Sequence, residues 1–233
     1  MSILQIRDLS VWYKEDKKVI NELNMCINSN EIVGLLGKNG EGKTTLLNTI
    51  TSLHDKYSGE ILIKDSSKLS DNYTKKQRYY VQDYPILFEE MSPLGFFKFL
   101  CSIYNKEWDE EKYNYYLERF NFKEQSEKFI SSLSLGNKQK TNIIGAFLVK
   151  APLLILDEPL TGLDVISVER FYEEIKKYAS EGNAVIFSTH IIDVLDRVCS
   201  KVFILNNSRI ESCIDINENI DIREEFIKVV GCE

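Results

Sequence analysis

With 233 residues, 43 % of them hydrophobic, the chain can bury one sizeable core as a single domain, with room for a subdomain. A net charge of −7 argues against broad electrostatic capture of nucleic acid, which needs a basic face. No run approaches the roughly 18 uninterrupted apolar residues of a membrane span, and Met1 to Asp8 lacks a basic region followed by an apolar core, so the chain is expected neither to be secreted nor to cross a membrane by itself. The five cysteines (Cys26, Cys101, Cys199, Cys213, Cys232) are scattered without C-x-x-C spacing and read as reduced, mostly structural thiols of the cytosol.

Leu9, Val11 and Tyr13 alternate, which on periodicity alone puts Tyr13 on a core-facing strand face, with Trp12 facing the other way. Glu31-Ile32-Val33-Gly34-Leu35-Leu36 is a short apolar run suited to a buried strand, and Thr44 to Ile50 continues as a helix. Between them, Gly37-Lys38-Asn39-Gly40-Glu41-Gly42-Lys43-Thr44-Thr45 satisfies the G-x-x-x-x-G-K-[ST] phosphate-loop pattern in its required strand, loop and helix context. Glycines let the backbone bend so that successive N–H groups point at phosphate oxygens, and the helix start adds partial positive charge. The pattern names a nucleoside triphosphate as substrate, with Lys43 on the β/γ-phosphates and Thr44 holding Mg²⁺. His54 lies in the polar stretch Leu53 to Gly59, which suggests no partner for it, and reads as surface.

From Gln82 to Leu133 the chain turns aromatic and helical. Gln82-Asp83-Tyr84-Pro85-Ile86-Leu87-Phe88 is an apolar, aromatic loop suited to a partner groove. Ser92-Pro93 supplies an N-cap and a proline at the first helical position, after which Leu94, Phe97, Leu100 or Cys101, and Tyr104 recur at helical spacing. A second helix begins after Asp109 and carries Tyr113, Tyr116, Leu117 and Phe120 on one face, most of these aromatics being core. Gly136 and Asn137 open a third helix running through Leu148, whose free N–H groups can meet an anion, with Ser134 adding a hydroxyl donor. Leu133 and Leu135 read as packing.

Ala151 to Pro159 is an apolar strand ending in two carboxylates, and functional side chains of a parallel α/β sheet gather at the carboxyl ends of its strands. There Asp157 can hold Mg²⁺ directly or through water, and Glu158 can polarise an attacking water. Gly182 to His190 repeats the pattern, an apolar strand closed by His190 in a polar cluster.

Together these residues resemble the ATPase subunits of ATP-binding cassette (ABC) transporters, over about residues 2 to 210. Leu133-Ser134-Leu135-Gly136-Asn137 falls where that family carries its signature Leu-Ser-Gly-Gly-Gln, with Leu135 replacing the first glycine and Asn137 the glutamine. Leu160-Thr161-Gly162-Leu163-Asp164 resembles the family's dimer-contact loop, His190 its switch histidine, and Gln82 the glutamine joining ATP to the membrane partner. Tyr13 resembles the aromatic that stacks on adenine, with Trp12 its rival. The resemblance implies that Ser134 and Gly136 meet the γ-phosphate bound by another subunit, so that two chains sandwich two nucleotides. It also implies that the groove beside the loop after Gln82 receives a short cytoplasmic helix of a permease. Leu-Ser-Leu-Gly followed by Lys138-Gln139-Lys140 is similar to bacterial exporter ATPases, including those handling peptide antibiotics and drugs.

The expected fold is α/β, a P-loop NTPase core with a mixed β-sheet, an antiparallel β portion over about residues 2–33 and 58–64, and a helical insertion. The expectation is one domain over 1–233, with a helical subdomain at 83–140 and an extension at 211–233 to which no role is assigned. The expected activity is Mg²⁺-dependent hydrolysis of ATP, performed by a dimer of ATPase subunits that powers a separate integral membrane permease, an exporter, from the cytoplasmic face of the membrane. Gly37, Asn39, Gly40, Gly42, Lys43, Thr44 and Thr45 are expected around the phosphates, and Thr44, Gln82 and Asp157 around the metal. Glu158 is the expected general base, His190 the γ-phosphate sensor, Tyr13 the adenine contact, and Ser134 and Gly136 the groups that act across the dimer. An importer ATPase would share these motifs. A soluble cassette ATPase of DNA repair, chromosome organisation or translation would typically add a coiled-coil insertion, zinc modules or a second cassette, none of which is visible. A module that binds ATP without turnover is disfavoured by Glu158 and His190.

Overall fold

The apolar runs form strands in the computed structural model, which describes residues 1–14, 17–216 and 220–231. In chain order the elements are β1 (Ser2–Lys14), β2 (Lys17–Asn28), β3 (Ile32–Leu36), α1 (Lys43–Ile50), β4 (Tyr57–Ile63), α2 (Asn72–Lys75), β5 (Arg78–Val81), α3 (Pro93–Ile103), α4 (Glu110–Arg119), α5 (Leu135–Val149), β6 (Leu153–Asp157), α6 (Val165–Ser180), β7 (Ala184–Ser188), α7 (Ile192–Val198), β8 (Lys201–Asn206), β9 (Arg209–Asp215) and α8 (Ile222–Val230). The larger sheet runs β5-β6-β7-β3-β8-β9, parallel except for β9, and an antiparallel sheet runs β2-β1-β4.

Successive side chains of a strand point to opposite faces, so each parallel strand feeds two cores. Val33, Leu35, Ile155 and Ile186 pack toward the antiparallel sheet, while Ile32, Leu36, Leu154, Leu156, Val185 and Phe187 pack beneath the helices. Burial on both faces is the reason these strands are written as unbroken apolar runs rather than alternating ones. Ile32 and Val33, expected within the antiparallel portion, belong instead to the larger sheet. The chain leaves β2 at Asn28 and turns through Asn30, whose φ of +69° suits asparagine.

The helical segment follows its capping signals. Ser92 Oγ accepts from Gly95 N–H at 3.2 Å with Pro93 at the first position of α3, and Asp109 Oδ1 accepts from Lys112 N–H at 2.9 Å at the start of α4. Phe97, Leu100, Cys101, Tyr113, Tyr116, Leu117 and Phe120 are buried as expected, whereas Leu94 and Tyr104 are only half-buried. Tyr116 stacks on Phe147 of α5 at 5.5 Å, and Phe147 meets Phe171 of α6 at 6.2 Å, so aromatic contacts join this segment to the sheet-covering helices.

The carboxy-terminal stretch has a structural role. β9 extends the sheet past β8, and α8, capped by Asp221, lies across it with Ile222 and Val230 buried. Asn206 Nδ2 at the end of β8 donates to Val229 O at 3.2 Å. Among the described thiols Cys101 and Cys199 are buried while Cys26 and Cys213 are exposed; Cys232 lies outside the described residues. Among the described residues no helix is long and apolar enough to cross a membrane.

Candidate functional site

The phosphate loop leaves β3 between the ends of β7 and β8, its two neighbours in the sheet. Gly40 and Gly42 take φ of +92° and +99°, backbone that glycine adopts without a Cβ penalty. A Cβ on Gly42 would also stand 2.9 Å from Ile20 Cδ1 and 3.0 Å from Val19 Cγ1, because the loop packs down on β2. Lys43 Nζ folds back to donate to Gly37 O at 2.7 Å and Lys38 O at 3.1 Å, so the ammonium fastens the loop it belongs to. Burial pulls its pKa down, against the opposing pull of Glu158, Asp157 and Glu41.

A cavity of about 350 Å³ opens over the loop, lined by Asn39, Gly40, Gly42, Lys43, Thr44 and Thr45 on one side and Asp83, Asp157 and Glu158 on the other. A cavity of similar size, about 380 Å³, lies between α4 and α6, but its lysines are already engaged. There Lys112 donates to Leu148 O, Lys150 pairs with Glu181, and Lys177 lies over the Tyr115 ring.

Asp157 is buried and paired in register with Ser188, whose hydroxyl donates to Oδ1, while Tyr80 Oη donates to Oδ2 at 3.3 Å. The carboxylate is thereby fixed at the wall of the cavity that Thr44 also lines. Among the described residues no three His, Cys, Asp or Glu side chains gather as a metal cluster. One hydroxyl and one carboxylate fit a hard divalent cation that takes its remaining ligands from phosphate oxygens and water, as Mg²⁺ does.

Glu158 follows directly with φ of +44°, a conformation that costs a non-glycine residue about 1–3 kcal/mol and persists where surrounding contacts fix it. Those contacts are its N–H to Ser188 O at 3.1 Å, the Thr189 hydroxyl to Oε2 at 3.2 Å, and His190 Nδ1 to Oε1 at 2.9 Å. His190 is exposed just beyond β7, so the Glu158 carboxylate bridges the cavity wall and the surface.

The other expected site residues are arranged less simply. Gln82 is half-buried at the end of β5 and does not line the cavity, whereas Asp83 does. Tyr13 is 52 % exposed, not core: the pairing of β1 with β2 shifts register on either side of Val11 and Trp12, which breaks the strict alternation with Leu9. Its hydroxyl lies 3.2 Å from Thr45 Oγ1, and its ring packs against His54, which is half-buried with two backbone partners rather than bare surface.

Ser134 and Gly136 lie away from this cavity. α5 begins at Leu135, with Ser134 Oγ accepting from Asn137 N–H at 3.3 Å as its N-cap. Leu133 is buried, but Leu135 is exposed, because the cap turns the first helical side chain outward. Sequence reasoning gave no role to Tyr80, Ser188 or Thr189. Ser188 and Thr189 carried a usable signal as the polar end of an apolar strand; Tyr80 carried none, since its carboxylate partner is 77 positions away.

A phosphate loop after β3 and a carboxylate pair at the end of β6, one strand away across β7 in a mainly parallel sheet, define a nucleoside-triphosphate-binding α/β protein. Residues 20–161 match the ABC transporter family. The chain is 40 % identical over 240 residues to the putative ABC transporter ATP-binding protein AlbC of Bacillus subtilis (strain 168), covering 100 % of both chains. It is 29 % identical to the SkfA peptide export ATP-binding protein SkfE of the same organism, over 99 % of this chain and 98 % of that one. A solved structure of the ATP binding subunit of an ABC transporter superposes with a TM-score of 0.90 at 26 % identity, covering 97 % of this chain and 99 % of the other. The chain belongs to the ABC transporter family, as an ATP-binding subunit with that family's ATPase fold.

Proposed function

We propose that this chain hydrolyses ATP with Mg²⁺ to drive a separate integral membrane permease that exports a peptide or a drug, and that it works as a nucleotide-sandwiching dimer on the cytoplasmic face of the membrane. The observation that carries the hydrolytic reading is Glu158, a strained carboxylate held by Thr189 and His190 at the wall of the phosphate-loop cavity. Water attacks the γ-phosphorus, the bond from that phosphorus to the bridging oxygen breaks, ADP leaves, and Glu158 takes the proton of the attacking water. His190 orients Glu158 and meets the γ-phosphate. Lys43 offsets charge on the β/γ-phosphates, and the amides of Gly37, Asn39, Gly40 and Gly42 with Thr45 cradle the rest. Mg²⁺ held by Thr44 and Asp157 would supply charge neutralisation on the transferring group, and Gln82, outside the cavity at the end of β5, would have to move inward to join them. Tyr13 stacks on the adenine.

Ser134 and Gly136 stand apart from the chain's own cavity and Ser134 is exposed, which supports their service to the nucleotide of a second subunit. The helical segment 83–140 acts within the one domain as its permease-facing part. Export is supported by the likeness to SkfE, whose name assigns it to peptide export. The test is purification of the full chain from its own membranes under mild detergent. The expected result is an integral membrane protein in stoichiometric amount and ATPase activity that rises when that complex is placed in lipid vesicles. A chain that stays soluble and captures no membrane protein would return the reading to a soluble cassette ATPase.

A further inference from the structure

His54 lies on the chain between α1 and β4, outside every motif of the family. Its Nε2 faces two carbonyl oxygens, Trp12 O at 3.0 Å and Lys56 O at 3.3 Å, so this nitrogen carries the hydrogen and donates to both. Lys56 O also accepts from Trp12 N–H at 3.2 Å, which ties the end of β1 to the residue before β4 at the same point. The imidazole is therefore fixed relative to β1. Its ring meets that of Tyr13 at a centroid distance of 4.7 Å and an angle of 56°. Tyr13 itself projects beyond the buried part of β1, and its hydroxyl reaches Thr45 Oγ1 at 3.2 Å, at the start of α1.

We propose that His54 is a positioning residue for the nucleotide base: it packs against the Tyr13 ring and fixes the orientation in which that ring stacks. The proposal rests on the reading that Tyr13 stacks on adenine. An exposed tyrosine with no backing ring samples several rotamers and must be ordered when the ligand arrives, which weakens binding. Here the ring is held at two points, by the tilted imidazole packed beside it and by Thr45 at its hydroxyl, and the imidazole is in turn fixed by the backbone that His54 bridges. The hydroxyl contact also couples the ring to the phosphate loop, so base and triphosphate are registered against one rigid unit.

The test is calorimetric titration of the full-length chain and three variants with Mg-ATP and with Mg-tripolyphosphate, which lacks the base. His54→Ala is expected to weaken ATP binding about three- to tenfold, the range of an aromatic pair, with tripolyphosphate affinity unchanged, and steady-state ATP hydrolysis beside the titration should place the loss on KM rather than kcat. His54→Phe, which restores a ring without the donor, should recover part of the lost affinity. Tyr13→Ala is the control for the underlying reading. If it binds ATP like the wild type, base stacking on Tyr13 is wrong whatever His54 does. If Tyr13→Ala weakens ATP binding and His54→Ala does not, the positioning role is overturned. Equal losses for ATP and tripolyphosphate in His54→Ala would overturn it as well, since a disturbed loop, not a misplaced ring, would then be the cause.

Discussion

The main chain of Gly136 lies directly against that of Gly162: a Cβ on Gly136 would fall far inside van der Waals contact of the Gly162 carbonyl oxygen, and Gly162 itself takes φ of +77°. The start of α5 thus meets the loop 160–164 backbone to backbone. Gln139 Nε2, donating to Pro159 O at 3.1 Å, and Lys140, paired with Asp164 at 2.7 Å, extend the same seam. The seam explains which signature glycine this chain can do without. Leu135 points outward and replaces a glycine at no steric cost, whereas Gly136 has no space for any side chain.

Gly136→Ala is accordingly expected to destabilise the fold by about 1–3 kcal/mol through enforced displacement of the 160–164 loop, and to depress ATPase activity further than the stability loss accounts for. Leu135→Ala should do neither. Urea unfolding of both variants, beside steady-state ATP hydrolysis, checks the contrast. Equal stability in the two would mean that the loop moves freely.

The Lys140–Asp164 pair sets a pH dependence. The Asp164 carboxyl is held well below the usual carboxylate range, first by the hydrogen bond from Lys140, with the Ser167 amide and hydroxyl adding to it against partial burial. A folded value below the unfolded one means that the contribution is present above about pH 4 and is lost as pH falls toward the folded value. Asp164→Asn keeps the helix cap but removes the charge from Lys140, which is buried and otherwise donates to Phe120 O at 3.2 Å. At neutral pH the variant is expected to be less stable by about 1 kcal/mol or less, since the carboxylate is half exposed and water screens the pair. The gap between variant and wild type should narrow below about pH 4. A gap that stays constant from pH 3 to pH 7 would deny the charge its role.

What could be read from the chain beforehand divides by distance along it. The phosphate loop and the strand ends are local patterns whose function follows from a few adjacent residues, and Gly40, Lys43, Thr44, Asp157 and Glu158 line one cavity. Tyr80 with Asp157, Ser188 with Asp157, and His54 with Trp12 are pairings across strands or between separate elements, which no periodicity announces. The exposure of Tyr13 departs from the alternation with Leu9 and Val11 because alternation assumes an unbroken ladder, and β1 is irregular at Val11 and Trp12. Arg209–Asp215 and the helix after Asp221 did carry signals, weak alternation in one and a cap with Glu224, Glu225 and Lys228 suitably placed in the other. Neither signal names a function, and the resemblance ends at about residue 210.

Glu158→Gln should separate binding from chemistry. The amide keeps the shape and a bond to His190 but cannot accept the proton of water, so turnover is expected to fall by about 10²–10⁴ while ATP stays bound. With hydrolysis blocked, ATP should accumulate the dimer, seen by light scattering at micromolar protein. Ser134→Arg in that background should abolish the dimer, by placing bulk where the opposing γ-phosphate is expected. A Glu158→Gln chain that binds ATP and stays monomeric would remove the sandwich from the mechanism.

The loop after Gln82 offers the most direct test of the membrane partnership. Phe88 is 53 % exposed and lies edge-on to Phe99 at 5.4 Å, with Ile86 exposed before it, whereas Leu87 between them turns inward against the helical core. One end of the loop reaches the 160–164 loop through Thr161 Oγ1 and Asp83 Oδ1 at 3.4 Å. The other reaches α5 through Glu89 and Lys138 at 2.8 Å, and the residues before Ser134 through Ser131 N–H to Glu89 O at 3.1 Å. A partner seated on Phe88 would therefore sit on a loop tied both to residues 160–164, which resemble the family's dimer-contact loop, and to the start of α5. Phe88→Glu is expected to abolish co-purification with the permease while thermal unfolding and ATP binding stay near wild type, because the charge remains in water. Leu87→Glu should instead cost about 1–3 kcal/mol of stability, since its carboxylate would be driven against apolar neighbours. The reverse pattern, with Phe88→Glu unfolding the chain and Leu87→Glu harmless, would assign Phe88 to the core and leave the partner to be sought on another face.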